Sequence, residues 1–254
     1  MKIAVCIKQV PTREWQPRLA DDGRGIREQD AAWELNEPDA YALEAGLRLR
    51  EQHGGEVVVC AAGPDRVLPV IREALARGAD RAIHVADPAL GQADAMAIAE
   101  ALAGAMRDEA FDLILTGLQS DDQGHGQTGV ALAARLDRPH ATIIMDVQIA
   151  DGRVRVKREL EGGWFQWVTM PMPAVLTVQS GINQLRYATL KGIMAAKKKE
   201  IRTVAPAAPV RPRIEILSLR VPEKSKRIEM LAGTPEEAAA TLVRRLRDEA
   251  RVID

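Results

Sequence analysis

The sequence predicts an α/β fold: a doubly wound, mostly parallel sheet with a late antiparallel hairpin and an extended C-terminal arm. Short apolar runs alternate with helical patterns through the first half of the chain, as in successive βαβ units. These runs are continuous rather than alternating with polar residues, which is typical of parallel strands covered on both faces. After Pro139 the segments become strand-like around a turn pair, and after Thr203 prolines recur three residues apart.

The first half contains four predicted buried strands, in the segments KIAVCIK, EVVVCAAG, RAIHVAD and FDLILTG. The first helix, NEPDAYALEAGLRLREQHGG, has Asn36 as its expected N-cap and Asp39 at N3, and it ends at Gly54. A second helix, RVLPVIREALARGAD, ends at Gly78, and QADAMAIAEALAGAMRDEA forms a third. We expect the nucleotide-binding type of α/β domain to occupy residues 1–202.

The later segments predict a mixed sheet and then an arm. ATIIMDVQIADGRVRVKREL reads as two strands around Asp151-Gly152, a favoured type I′ turn pair, and WFQWVTM and PAVLTVQ continue the strand character. Residues 203–254 begin with a polyproline-like stretch and end in a helix whose cap residues are Thr234, Pro235 and Glu237. The arm is expected to reach another subunit; packing back on its own domain is the alternative.

Composition excludes several functional classes. The 254 residues are 46% hydrophobic and 28% charged, as in ordinary globular proteins. A pI near 6.5 and an aromatic content of 3% argue against nucleic-acid binding. No apolar run approaches the roughly 18 residues needed to cross a bilayer. Cys6 and Cys60 lie inside apolar runs, which favours two small buried side chains over a disulfide or a metal site. A cytoplasmic location is expected.

The segment TGLQSDDQGHGQTG, residues 116–129, follows a predicted buried strand and runs into a helix. Ligands of open α/β sheets bind at loops of this kind, beyond the carboxyl ends of strands. Its glycines allow backbone N–H groups to approach an anion, and Gln127 and Thr128 add donors at the helix start, which favours a phosphate. It matches neither a Walker A loop nor G-x-G-x-x-G. A purely structural glycine-rich loop is the alternative.

Catalytic machinery is not evident in the sequence. His125 has no second His or Cys at metal-ligand spacing, so neither a metal site nor a general base is expected there. There is no G-x-S-x-G elbow, and neither cysteine has an activating neighbour in sequence. We therefore expect no metal and no bond-making reaction.

Aromatic residues cluster in the segment VKRELEGGWFQWVTMPMPAVLTV, residues 156–178. Trp164, Phe165 and Trp167 follow the Gly162-Gly163 pair directly. The favoured interpretation is a hairpin whose aromatic side chains fill the core. The alternative is an aromatic edge contributed to an interface or a cofactor pocket.

The stretch from Val156 through RELEGG to PAVLTV resembles the signature of the electron transfer flavoprotein beta subunit family. GINQLRYATLKGIMAAKKK follows at the spacing that the family uses, and NEPDAYALE, GADRAIHV and GLQSDDQGHGQTG match further blocks in the family's order. The resemblance covers nearly the whole chain from Lys2 to about Ile201. Five ordered blocks are far more specific than any one of them.

The resemblance implies an adenine-nucleotide-binding (Rossmann-like) beta subunit that pairs with an alpha subunit. The alpha subunit would hold most of a redox-active FAD, and AMP would be buried in the beta subunit. Many relatives have an asparagine where this chain has Gly126, so backbone contacts carry over more directly than side-chain contacts. The AMP site implied by the resemblance comprises Cys6, Asn36, Glu37, Pro38, Asp39, Ala62, Asp122, Gln123, Gly124, His125, Gly126, Gln127, Thr128 and Gly129.

The segment LRYATLKGIMAAKKKEI, residues 185–201, places apolar side chains directly before a lysine run. A surface helix with one buried face and a solvated tail is one explanation. The resemblance implies the other: a loop over 185–200 that docks a partner dehydrogenase, with Leu190 at the place of the family's leucine. Its docking residues would be Leu190, Ile193, Met194, Lys197, Lys198 and Lys199.

The resemblance thus predicts an electron carrier between flavin-dependent dehydrogenases and a quinone-linked oxidoreductase. One alternative is a flavin-bifurcating member with a second FAD where AMP would sit. The chain lacks the aspartate-threonine-alanine-glutamine-valine pattern of those relatives, which favours AMP. A stand-alone nucleotide-binding regulator or hydrolase of the same fold is the other alternative.

Overall fold

The computed structural model describes residues 1–222 and 228–253 of the chain. They form two compact units, Met1–Ser218 and Leu219–Asp254. Of the elements described, the first unit contains the strands and five α-helices, and the second contains one further α-helix. None of the helices described is long and apolar enough to cross a membrane.

The first unit contains eleven strands and five helices. The strands are β1 Lys2–Cys6, β2 Gln9–Pro11, β3 Trp33–Leu35, β4 Glu56–Gly63, β5 Arg81–Ala86, β6 Leu113–Gly117, β7 His140–Ala150, β8 Arg153–Glu159, β9 Phe165–Pro171, β10 Ala174–Val178 and β11 Ile201–Val204. The helices are α1 Glu37–His53, α2 Leu68–Arg77, α3 Ala95–Met106, α4 Thr128–Leu136 and α5 Leu190–Ala196.

Nine of these strands form one sheet in the order β11-β5-β4-β1-β6-β10-β7-β8-β9, and β2 and β3 form a separate antiparallel pair. Neighbours from β11 to β7 are parallel, whereas β8 and β9 extend the sheet by antiparallel pairing. The β7–β8 turn has Asp151 at φ 50° and Gly152 at φ 69°, which confirms the hairpin turn expected there. The predicted fold class is confirmed.

Buried apolar residues lie on both faces of the sheet. One cluster joins α1 and α2 to side chains such as Ile3 and Leu115, and the other joins α3 and α4 to side chains such as Ala4 and Ile114. Consecutive residues of a strand point to opposite faces, so both Ile3 and Ala4 of β1 are buried. This double coverage explains why the central strands are continuous apolar runs in the sequence.

The boundary expected after residue 202 falls inside β11, which pairs with β5 at the edge of the sheet. The first unit continues to Ser218. The Asp94 carboxylate accepts hydrogen bonds from the backbone N–H groups of Arg213 and Ile214, the latter at 2.9 Å, which fastens the start of the arm to α3. Proline spacing in the sequence gave no sign of this attachment.

The core-filling interpretation of the aromatic segment is wrong. Trp164, directly before β9, is 72% exposed, and Phe165 and Trp167 of β9 are also exposed. Strand β9 is the edge strand of the sheet, so no further strand covers it. The guanidinium of Arg155 lies 4.5 Å from the Trp167 ring centroid, and the Lys157 ammonium lies 4.0 Å from that of Phe165. The rings of Phe165 and Trp167 therefore make cation–π contacts on the surface of the hairpin.

The second unit is organised around α6, Pro235–Asp248. Thr234 and Glu237 form the capping box expected from the sequence: the Thr234 hydroxyl accepts from the Glu237 N–H at 3.3 Å, and the Glu237 carboxylate accepts from the Thr234 N–H at 2.8 Å. No residue of this helix is buried, and Leu242 and Val243 are exposed.

Candidate functional site

The strand order of the parallel sheet reverses at β1, and we call the edge beyond the carboxyl ends of β1 and β6 the crevice. From β1 the chain proceeds outward on one side to β4 and β5, and then returns to β6 on the other side of β1. The carboxyl ends of β1 and β6 therefore diverge into connections that leave in opposite directions. Such a switch point is where open α/β sheets bind ligands. The glycine-rich loop 116–129 begins here, at the end of β6.

The Asp39 carboxylate, in the first turn of α1, joins the ends of these two strands. One oxygen accepts from the Gly117 N–H at 2.8 Å and the other from the Lys8 N–H at 2.8 Å. A Cβ on Gly117 would lie 2.5 Å from the Asp39 carboxylate, so only glycine permits this approach. Burial raises the pKa of Asp39 to about 6, although the two N–H donors oppose the shift. Asp39 thus joins the two strand ends that border the crevice.

Asn36 precedes α1, but its side chain does not cap the helix, contrary to expectation. Its amide nitrogen donates to the Gln119 carbonyl at 3.1 Å, and its oxygen accepts from the Asp121 N–H at 2.9 Å. The buried Asn36 amide thus supplies the hydrogen-bond partners of one backbone carbonyl and one backbone N–H of the loop. Asn36 thus fixes the start of the glycine-rich loop against α1.

The middle of the loop is tied down by two cations from the segment that follows β1. The Lys8 ammonium contacts the Asp122 carboxylate at 2.7 Å, and the Arg13 guanidinium lies 3.4 Å from that of Asp121 and pairs with Glu37 as well. Burial acts to raise the pKa of Asp122, but the Lys8 charge opposes burial and holds this pKa below its usual value. Each carboxylate of the loop is therefore paired with a cation, Asp122 with Lys8 and Asp121 with Arg13.

The end of the loop presents the start of α4 to the crevice. Gln127 is the N-cap residue, yet among the residues described no side-chain hydrogen bond caps the first turn. Gly124 and Gly126 have φ values of 63° and 62°, a conformation that glycine adopts readily. A Cβ on Gly129 would lie 2.5 Å from the Thr177 side chain, so the first turn of α4 packs directly on the strand ends. This is a backbone arrangement suited to an anion.

The remaining residues of the implied AMP site lie at the adjoining strand ends. Cys6 ends β1 and is paired in register with Cys60 of β4. Both cysteines are buried and free, as expected, and burial raises the pKa of each thiol, to about 12 for Cys60. Ala62 lies near the end of β4 and is half-buried. His125 is exposed in the loop, and no cluster of three or more potential metal ligands occurs in the residues described.

The docking residues implied by the resemblance form a separate surface around α5. Leu190 is 84% exposed and Tyr187 87%, while Met194 and Ile193 are also exposed. Thr189 caps the helix through its hydroxyl, which accepts from the Gly192 N–H at 3.0 Å. We call Tyr187, Leu190, Ile193 and Met194 the apolar patch.

Contacts with α1 and α2 fix the patch in place. The Arg186 guanidinium pairs with the carboxylates of Glu44 at 2.7 Å and Glu51 at 2.6 Å, both on α1. Arg72 of α2 donates to the carbonyl of Ala196 at the end of α5, at 2.6 Å. A Cβ on Gly192 would lie 2.3 Å from a carbonyl of α2, so this glycine allows the two helices to touch.

The lysines after α5 differ in their surroundings. Lys197 and Lys198 are exposed. The half-buried Lys199 ammonium instead donates to the carbonyls of Leu75 and Ala79, at 3.0 and 2.5 Å. Burial lowers the pKa of Lys199. It therefore caps the end of α2, while the other two lysines face solvent.

Comparison with known proteins gives a consistent result. The model of the electron transfer flavoprotein domain matches residues 24–209. The chain is 38% identical to "Electron transfer flavoprotein subunit beta" of Methylophilus methylotrophus, over 96% of this chain and 97% of that protein. It is 32% identical to the subunit of the same name from Bacillus subtilis, over 100% of both chains, and 31% identical to that of Homo sapiens, over 99% of both.

The chain belongs to the electron transfer flavoprotein family, as a beta subunit. Its role is thus in electron transfer, as the sequence analysis predicted. The fold of this beta subunit brings the implied site residues from β1, β4, the start of α1 and the loop after β6 to one edge of the sheet. The α5 patch is a different surface, supported by α2.

Sequence reasoning missed the charged side chains that shape both regions of the beta subunit. Lys8, Arg13, Arg72 and Arg186 each contact backbone or carboxylate groups of a distant segment. One signal was available: Lys8 ends the predicted buried segment KIAVCIK, at the edge of the sheet where ligands bind. Arg186 offered none, because its partners on α1 are distant in sequence.

Proposed function

We propose that this chain is the beta subunit of a heterodimeric electron carrier that binds AMP structurally and docks a flavin-dependent dehydrogenase. The uncapped start of α4 at the switch point is the observation that carries this proposal. The chain performs no bond-making reaction and works as a cytoplasmic protein. Its electrons pass on toward a quinone-linked oxidoreductase.

AMP fits the crevice for three reasons. In the part of the chain that the structure describes, no side chain caps the first turn of α4, which leaves its N–H groups for one phosphate. Gly124 and Gly126 leave open space above the loop, because a Cβ on either would meet nothing closer than 3.7 Å. Ala62 is a small side chain at the end of β4, which leaves room for a base or a ribose. The backbone of residues 124–129 would hold the phosphate.

FAD supplies the electron-accepting and electron-donating chemistry of the carrier, and in this proposal the alpha subunit holds most of it. The names of the curated relatives, each a "subunit beta", support a second subunit. In the residues described, the second unit exposes an unusual amount of apolar side-chain surface, including Leu219, Val221, Met230 and Leu242. Exposed apolar side chains in such number favour burial against another chain.

The apolar patch supports dehydrogenase docking. Four large side chains on a helix and its preceding loop are exposed, although Arg186 and Arg72 hold their backbone firmly. A preorganised surface loses less conformational entropy on binding than a flexible one. Lys197 and Lys198 lie at the end of the same helix and would speed the encounter with an acidic surface.

Co-expression with an alpha subunit of the same family tests this proposal. We expect a yellow complex of the two chains that is bleached by a flavin-dependent dehydrogenase and its substrate. The beta subunit alone serves as the control and should be colourless. A colourless chain that stays monomeric beside the alpha subunit, or that hydrolyses a nucleotide by itself, would instead indicate a stand-alone regulator or hydrolase.

A further inference from the structure

The Lys8 side chain crosses from the end of β1 to the glycine-rich loop and meets four acceptor atoms there. Its ammonium lies 2.7 and 2.8 Å from the two Asp122 carboxylate oxygens, 3.1 Å from the Gln123 side-chain oxygen and 3.3 Å from the Ser120 hydroxyl. Its backbone is fixed as well, because its carbonyl accepts from the Asn36 N–H at 3.0 Å. Both ends of Lys8 are thus held in place.

This pairing determines the charge that the loop shows to an anion. Asp121 and Asp122 lie in the loop that leads to the uncapped start of α4, and an unpaired carboxylate there would repel a phosphate. The Lys8 charge offsets that of Asp122, and Arg13 lies beside Asp121. Without Lys8, one carboxylate of the loop would have no cation in contact.

The same pairing leaves Lys8 with no donor for a ligand. An ammonium group has three N–H donors, and four acceptor atoms already surround this one. One phosphate can be bound by the backbone N–H groups of α4 alone. A second phosphate would add negative charge to a loop that already contains Asp121 and Asp122, and the Lys8 ammonium is engaged by Asp122 and is not free to offset that charge.

We propose that the Lys8–Asp122 pair sets the number of phosphates that the crevice accepts: it permits one and disfavours two. The inference rests on the proposed function, in which the crevice binds AMP. Lys8 acts as a positioning residue through Asp122 and does not itself contact the phosphate. Asp122 determines specificity because it keeps Lys8 away from a longer phosphate chain.

The test is a double-mutant cycle on the nucleotide-depleted heterodimer, titrated calorimetrically with AMP and with ADP. The wild type should bind AMP more tightly than ADP. Lys8→Met should weaken AMP binding about tenfold, because Asp122 is left unpaired. Adding Asp122→Asn to Lys8→Met should restore most of the AMP affinity. Asp122→Asn alone should narrow the preference for AMP over ADP about tenfold, because the ammonium is released.

Lys2→Met is the matched control. Lys2 begins the same strand at its opposite end, and its ammonium also pairs with a carboxylate, that of Glu109, at 2.8 Å. Removing this pair should change neither nucleotide affinity by more than about twofold. Lys8→Arg, which keeps the charge, should retain AMP binding. Thermal denaturation of each heterodimer separates loss of affinity from loss of folding.

Two results would overturn the inference. If Lys8→Met with Asp122→Asn binds AMP as weakly as Lys8→Met alone, Lys8 contacts the phosphate directly. If Asp122→Asn keeps the wild-type ratio of AMP to ADP affinity, the pair does not determine phosphate number. A wild-type heterodimer that binds neither nucleotide would refute AMP binding itself, and that outcome is distinct from both.

Discussion

Replacement of Leu190 by alanine separates docking from folding. The side chain is 84% exposed, and α5 packs on α2 through Gly192 and the buried Ala196 rather than through Leu190. Shortening the Leu190 side chain to alanine should therefore leave the folded state intact. If a dehydrogenase pocket covers Leu190, the same truncation removes apolar area that is buried only in the complex.

The structure bounds the size of the effect. Full burial of a leucine side chain contributes about 1.5–3 kcal/mol, and nearly all of the Leu190 side chain is available for burial. Alanine keeps part of that area, so the expected loss is about 1–2.5 kcal/mol of docking free energy. This corresponds to about 5- to 70-fold in affinity.

The assay is reduction of the heterodimer's flavin by a dehydrogenase that reduces the wild type, followed by absorbance over a range of carrier concentrations. The KM for the carrier should rise, while flavin content and melting temperature stay at wild-type values. Leu185→Ala is the contrasting control, because Leu185 lies in the same loop but packs against the core. It should lower the melting temperature. A Leu190→Ala protein that melts earlier but couples normally to the dehydrogenase would refute the docking argument.

Three further predictions follow from the same structure. Neutralising Lys197 and Lys198 should slow association with the dehydrogenase and flatten its salt dependence, measured by stopped-flow at several ionic strengths; unchanged salt dependence would contradict their steering role. Asp39 has a pKa raised to about 6, so its protonated form stabilises the fold below pH about 4 and that contribution disappears as pH rises through 6. The unfolding free energy of the wild type should therefore fall relative to that of Asp39→Asn by about 3 kcal/mol in total between about pH 3 and pH 7, and a constant difference would contradict the assignment. Deleting residues 219–254 should leave the first unit folded by circular dichroism but abolish stable heterodimer formation in size-exclusion chromatography, and full retention of the heterodimer would place its interface elsewhere.

The parallel part of the fold could be predicted because its signals are local. Continuous apolar runs identified the central strands, and Gly54 and Gly78 ended their helices as expected. The Thr234 capping box also depends only on residues within one turn. Each of these features is determined by neighbours a few positions away, so a single sequence displays it.

Features that depend on distant partners could not be predicted. Strand β11 looked like the start of an arm, because its pairing with β5 leaves no local pattern in four residues. Trp164 looked like a core residue because large aromatic side chains are usually buried, but its place beside an edge strand leaves it exposed. Asn36 was correctly placed at a helix start, yet its side chain bonds to the loop after β6 instead of the helix.

The candidate site shows the same division. The glycine-rich loop and the start of α4 were evident from glycine spacing and a helix signal. The Lys8–Asp122 pair joins residues 114 positions apart, and the Lys199 contacts to the end of α2 span 124 and 120 positions. The partners of Lys8 and Lys199 are evident only in the folded chain, because they are distant in sequence. Family resemblance supplied the remaining site residues, but it did not show which of them pair with backbone.

The central claim is that this beta subunit holds AMP at the switch point of its sheet while the heterodimer carries one flavin. Acid extraction of the purified heterodimer, followed by chromatography against standards, tests it most directly. We expect one FAD and one AMP per pair of subunits. Two FAD per complex, with reduction by NADH alone, would contradict the account and indicate a bifurcating carrier.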